Sequence, residues 1–119
     1  MMAGPGKRIL IVEDDALIAM LLEDMLMDLG HEIVGTAARV PQALDMVESL
    51  QFDAAILDLS LAGQNSFPVA DALRLKAIPH MFATGYGAGG IDAAYADRQT
   101  LKKPYQIEDL EKALAALNA

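Results

Sequence analysis

The chain has 119 residues, of which 54% are apolar and 22% charged, with a formal net charge of −8 and no cysteine. This globular composition accommodates one domain, residues 1–119, with a flexible start over residues 1–6 and no output domain. The negative charge argues against binding to nucleic acid or an anionic membrane, and the lack of cysteine and of a long apolar segment favours a soluble cytoplasmic protein.

Strand-like segments alternate with helical ones along the chain, which predicts a parallel sheet covered by helices on both faces. The predicted strands are Arg8–Glu13, Glu32–Ala37, Ala54–Asp58, His80–Thr84 and a weaker Thr100–Lys102. The predicted helices are Ala16–Leu29, Pro41–Leu50, Phe67–Leu75, a weak one near Ile91–Ala96, and Ile107–Leu117. Right-handed crossovers between these strands predict an open, doubly wound α/β sheet with about five helices, for which we expect the flavodoxin-like strand order 2-1-3-4-5.

The first helix carries clear start and stop signals. Asp15 is predicted to cap its N-terminus, and Gly30 is predicted to end it. Apolar residues at the helical period predict the side that faces the core: Ile18, Leu21, Leu22, Met25 and Leu29. Met20 and Met27 fall on the opposite side, where they could serve as a docking surface for a partner.

Carboxylates are concentrated at the ends of two predicted strands. Glu13, Asp14 and Asp15 follow the first strand, and Asp58 ends the third. With the first strand between the second and third, Asp14 and Asp58 are expected to lie a few ångströms apart. Because like charges at that separation need a cation, the pattern predicts a Mg²⁺ site, for which carboxylate oxygens are suitable ligands.

Such a site suits phosphoryl transfer, which depends on positioning and on neutralising the charge of the phosphoryl oxygens. Asp58 is the best nucleophile candidate, because the apolar residues before it would hold its backbone rigidly. Attack by its carboxylate on phosphorus would give an aspartyl phosphate. Thr84 ends the fourth strand and Lys103 follows the fifth, so both are expected near the same edge of the sheet.

The chain resembles the receiver domain of bacterial two-component response regulators. The resemblance extends from Arg8 to Leu117 and depends on four motifs at the expected strand ends: "VEDD", "ILDLSL", "FATGY" and "LKKPY". It implies that Asp58 is the phosphoacceptor and that Thr84 and Lys103 contact the phosphoryl group.

The same resemblance implies a set of metal ligands. Asp14 would bind Mg²⁺ directly, together with the phosphoacceptor Asp58, and Glu13 would bind largely through water. The backbone carbonyl of Ser60 would complete the protein ligands. Asp15 matches no ligand role in the family and is interpreted as a helix cap.

One position departs from the family pattern. Receivers commonly have Tyr or Phe three residues before the lysine, and this chain has Thr100 there. Together with "FATGYG" and the glycines that follow it, this departure resembles the single-domain receivers named for that Phe-Ala-Thr-Gly motif. The resemblance implies that the loop after the fourth strand is the mobile element.

These features lead to one principal hypothesis and two alternatives. The principal hypothesis is a stand-alone response regulator, a monomer or weak dimer, phosphorylated by a histidine kinase or a histidine phosphotransfer protein and acting on a downstream protein. It would catalyse only its own phosphorylation and dephosphorylation. The alternatives are a Mg²⁺-dependent phosphatase with an aspartate nucleophile and a receiver-like binding module that is not phosphorylated.

Overall fold

A computed structural model describes residues 6–58, 60–61, 64–84, 99–102 and 107–117 of the chain. Its main sheet contains β1 (Arg8–Val12), β2 (Glu32–Ala37), β3 (Ala54–Asp58), β4 (His80–Thr84) and β5 (Gln99–Lys102). These strands are all parallel and lie in the order β2-β1-β3-β4-β5. The doubly wound order predicted from the sequence is therefore confirmed.

The described residues also form four helices, namely α1 (Ala16–Asp28), α2 (Val40–Ser49), α3 (Phe67–Leu75) and α4 (Ile107–Leu117). The helix predicted near Ile91–Ala96 lies outside the described residues. A short antiparallel pair, Ser60–Leu61 with Gln64–Asn65, follows β3 and was not predicted. No helix within the described ranges is both long enough and apolar enough to cross a membrane.

The sheet is covered on both faces, because alternate residues of each strand point to opposite sides. On β1, Ile9 and Ile11 pack against residues of α1 and α4 in one cluster. Leu10 and Val12 pack against residues of α2 and α3 in the other. All four side chains are fully buried, so the carboxyl end of β1 is held from both faces.

The buried side of α1 differs from the predicted one at its centre. Ala19, Leu22 and Leu26 are the buried residues of this helix, whereas Leu21 is 45% exposed. Successive residues are about 100° apart on a helix, so Leu21 lies well to one side of the line through Leu22 and Leu26. The prediction included Leu21 because it is large and apolar, and it missed Leu26.

Two helices end in the same hydrogen-bonded turn but with different residues at the left-handed position. After α1, the amides of Gly30 and His31 donate to carbonyls of the last turn, and Gly30 has φ 92°. After α3, the amides of Ala77 and Ile78 do the same, and Ala77 has φ 58°. This pattern is a Schellman motif, in which glycine avoids the steric cost that alanine bears.

Ala77→Gly is expected to raise the free energy of unfolding by about 1 kcal/mol, because the left-handed conformation costs alanine more than the extra chain entropy costs glycine. The melting temperature should rise by roughly 4 °C in calorimetry. Ala72→Gly, within α3, is the control and should destabilise the protein by a similar amount. A lower melting temperature for Ala77→Gly would contradict the assignment of strain to this residue.

Candidate metal centre

Three carboxylates converge at the carboxyl edge of the sheet. Glu13 and Asp14 follow β1, and Asp58 is the last residue of β3. Val12 is paired with Leu57 in the parallel register, so the next residue of each strand, Glu13 and Asp58, emerges at the same level. One carboxylate oxygen from each of the three acids lies within 4.8 Å of the others.

The three acids differ in their exposure to solvent. Glu13 is buried, with 3% of its surface accessible, whereas Asp58 is half-buried and Asp14 is exposed. The cluster therefore has a closed side at Glu13 and an open side at Asp14. Water or a substrate group can reach the cluster from the open side.

Glu13 is fixed through both its backbone and its side chain. Its amide donates to the carbonyl of Ala37 at 2.8 Å, which extends the pairing of β1 with β2 by one residue. Its Oε2 accepts a hydrogen bond from the backbone amide of Asp15 at 3.1 Å. A buried carboxylate is costly unless such donors compensate for the lost water.

Asp15 lies beside the cluster and caps α1. Its Oδ1 accepts from the amides of Leu17 at 3.0 Å and Ile18 at 3.2 Å, and its backbone has the extended conformation of an N-cap. The predicted cap is therefore confirmed. The hydrogen bond from the amide of Asp15 to Glu13 was not predicted. Every residue except proline has a backbone amide, so this contact leaves no signal in the sequence.

The other candidate residues are described only in part. The backbone of Thr84 ends β4, directly after Ala83, which is paired with Asp58. Lys102 is paired with Thr84, so the ends of β3, β4 and β5 meet at one edge. Ser60 opens the short antiparallel pair after Asp58. Lys103 lies outside the described residues.

The chemistry of the cluster fits a hard divalent cation. Its donors are all carboxylate oxygens, which Mg²⁺ and Ca²⁺ prefer to nitrogen or sulfur. Neighbouring ligands of an octahedral Mg²⁺ are about 3 Å apart and opposite ones about 4.2 Å, so three oxygens that lie within 4.8 Å of one another would draw closer together around the ion. Small side-chain rotations, or one ligand acting through water, would close the difference.

Comparison with known proteins identifies a family with this fold. The model of the response regulator receiver domain matches residues 9–115. The solution structure of SdrG from Sphingomonas melonis Fr1 is 48% identical, with a TM-score of 0.87 and coverage of 96% of this chain and 98% of that one. The BeF3-activated conformation of SdrG from Pseudomonas melonis Fr1 is also 48% identical, with a TM-score of 0.84 and coverage of 94% and 96%.

A curated relative is considerably longer. The transcriptional regulatory protein PdtaR of Mycobacterium tuberculosis, strain CDC 1551 / Oshkosh, is 32% identical over 116 residues. The match covers 94% of this chain and 57% of PdtaR, so the chain spans little more than half the length of that relative.

Asp14→Asn is expected to stabilise the metal-free protein, because it removes one of three mutually repelling charges. Two unit charges within 4.8 Å of each other repel by about 1 kcal/mol even in a water-like medium. Removing that repulsion should raise the melting temperature in EDTA by roughly 4 °C. The same variant should lose most of the stabilisation that Mg²⁺ gives the wild type.

The matched control is Asp45→Asn, which removes the same charge from an exposed position of α2. It should leave both the melting temperature and the Mg²⁺ response nearly unchanged. A melting temperature of Asp14→Asn below that of the wild type in EDTA would show that repulsion is not the dominant effect at this position.

Proposed function

Because the chain belongs to the response regulator receiver domain family, we propose that it is a signalling switch phosphorylated on Asp58 by a histidine kinase or a histidine phosphotransfer protein. The observation that carries this proposal is the convergence of Glu13, Asp14 and Asp58 at the carboxyl edge of the sheet. Ligands of open parallel sheets bind at this edge, where the order of the strands reverses.

Asp58 is the proposed nucleophile because of where its strand lies. β3 is paired on one side with β1 and on the other with β4, so the backbone of Asp58 is fixed by the centre of the sheet. Its side chain is half-buried and accessible. Glu13 is less suited to attack phosphorus, since it is buried and its carboxylate accepts a hydrogen bond from the amide of Asp15.

The proposed reaction transfers a phosphoryl group between two side chains. A carboxylate oxygen of Asp58 forms a bond to phosphorus while the bond from phosphorus to the donor's histidine nitrogen breaks. The electron pair of that broken bond stays on the imidazole. The product is an aspartyl phosphate, and its later hydrolysis restores the carboxylate.

Receiver domains bind Mg²⁺ at an acidic site, and here Asp14, Asp58, Glu13 and the backbone carbonyl of Ser60 would hold it. Bound Mg²⁺ would neutralise charge on the phosphoryl oxygens. Thr84 is proposed to donate its hydroxyl to the phosphoryl group, and Lys103 is proposed to pair with it. The alignment of the ends of β3, β4 and β5 supports both roles.

We further propose that the chain acts as a stand-alone receiver of the Phe-Ala-Thr-Gly subgroup. The match to SdrG, which covers 98% of that chain, supports this interpretation. An SdrG structure is described as activated by BeF3, which supports a phosphoryl-driven change in this chain too. Receiver domains interact with kinases and downstream proteins, and output would follow from such binding.

Treatment with acetyl phosphate and Mg²⁺ should add one labile phosphoryl group to the wild type and none to Asp58→Asn, because the amide is a poor nucleophile. Intact-protein mass spectrometry measures the increment. Asp45→Asn keeps the candidate site and should be modified like the wild type. The same increment on Asp58→Asn would refute the proposal, and multiple-turnover hydrolysis of a phosphomonoester would favour the phosphatase.

The outer face of α1 is the proposed docking site for the phosphodonor protein. Its exposed apolar residues are Leu17 at 77%, Met20 at 58%, Leu21 at 45% and Met27 at 54%. Asp24 and Asp28, both exposed, lie on the same helix, which has no lysine or arginine. This surface fits a partner with an apolar centre and basic residues around it. Asp14 lies just before the N-terminus of α1, so a docked donor would be close to the cluster.

A variant with Met20→Ser and Met27→Ser should be phosphorylated about tenfold more slowly by its cognate donor protein, because two buried contacts would be lost. The rate with acetyl phosphate should not change. Leu75→Ser is the matched control, since Leu75 is 89% exposed at the end of α3. Equal rates for the double variant and the wild type with the protein donor would end the docking proposal.

A further inference from the structure

We propose that Asp15 is a positioning residue for the metal centre and acts on it through Glu13. Its side chain fixes the first turn of α1, and its amide thereby holds the carboxylate of Glu13 in place. This inference rests on the proposed function, because the ion that Glu13 serves is part of that function. The resemblance to known receivers assigns Asp15 no such role.

Asp15 is anchored by four hydrogen bonds at three of its atoms. Its amide donates to Oε2 of Glu13 at 3.1 Å. Its Oδ1 accepts from the amides of Leu17 and Ile18 at 3.0 and 3.2 Å. Its carbonyl accepts from the amide of Ala19 at 2.9 Å, which is the first hydrogen bond of the helix. The residue therefore joins α1 to the buried side of the cluster.

The amide of Asp15 can orient Glu13 only while the backbone of Asp15 stays in place. The side-chain cap supplies that restraint, since without it the first turn of a helix frays readily. The backbone of Glu13 is held separately, because its own amide is bonded to the carbonyl of Ala37, and its side chain is buried. Fraying at Asp15 would release the hydrogen bond from its amide to the carboxylate of Glu13.

A simpler explanation of any effect is the charge of Asp15, which would also attract a cation. Asparagine separates the two explanations, because it removes the charge and caps a helix as well as aspartate does. Alanine removes both the charge and the cap. Positioning predicts that only Asp15→Ala weakens the binding of Mg²⁺ strongly.

Binding is measured with Mg²⁺ alone, from amide NMR shifts of the full chain at low temperature. Asp15→Ala should weaken Mg²⁺ binding about tenfold, at the lower end of the range for residues that orient metal ligands. Asp15→Asn should weaken it by less than about threefold, because an exposed charge is screened. Asp45→Asn controls for the change in net charge.

A double-mutant cycle tests whether the effect passes through Glu13. In a Glu13→Ala background the acceptor is absent, so adding Asp15→Ala should cause only the loss of less than about threefold that its charge explains. An additive loss would overturn the inference, and so would equal losses for Asp15→Asn and Asp15→Ala.

The wild type supplies a test that does not depend on how the variants fold. The amide of Asp15 should exchange with solvent slowly, because it is hydrogen-bonded to Glu13, and fast exchange would overturn the inference. If the wild type fails to bind Mg²⁺, the proposed function fails. If the wild type binds Mg²⁺ and Asp15→Ala binds it equally well, only the positioning role fails.

Discussion

Mutual repulsion among three carboxylates is the constraint on which the candidate site depends. The parallel register of β1 and β3 places Glu13, Asp14 and Asp58 within a few ångströms of one another. This crowding is imposed by the pairing of two central strands. A cation in the space between them would offset this cost. The pairing of the strands therefore determines how much negative charge gathers at this edge of the sheet.

The two buried faces of the sheet make that crowding possible. Residues of β1 alternate between the cluster shared with α1 and α4 and the cluster shared with α2 and α3. A strand held by packing on both sides cannot shift by one residue without exchanging its two faces, and this fixes the level at which the acids emerge. Apolar packing therefore supplies the rigidity, and the carboxylates supply the chemistry.

The main sheet could be predicted from the sequence because its central strands are uninterrupted apolar segments. Glu32–Ala37, Ala54–Asp58 and His80–Thr84 have the predicted bounds, and the strand order is the flavodoxin-like one expected for this doubly wound sheet. Features that depend on tertiary contacts were less accessible. Leu21 looked like a core residue by size and spacing, and only packing shows that Leu26 takes its place.

The end of α1 was predicted because glycine marks a left-handed turn, whereas Ala77 ends α3 in the same turn without any such mark. In the candidate site, the meeting of Asp14 with Asp58 followed from the strand order. The link from Asp15 to Glu13 could not be predicted, because it joins a backbone amide to a side chain whose direction depends on its burial. The position of Thr84 at the end of β4 was predicted, and its role in the site stays a prediction.

The segment after Asp58 has a consequence for the path of a signal through the molecule. Leu61, three residues along the chain, is 1% exposed and belongs to the apolar cluster under α2 and α3. Lifting this segment away from the sheet would return a leucine to water, at a cost of about 2 kcal/mol. The short strand Ser60–Leu61 is therefore anchored to the core through Leu61. A rearrangement at Asp58 that displaced Leu61 would have to overcome that cost.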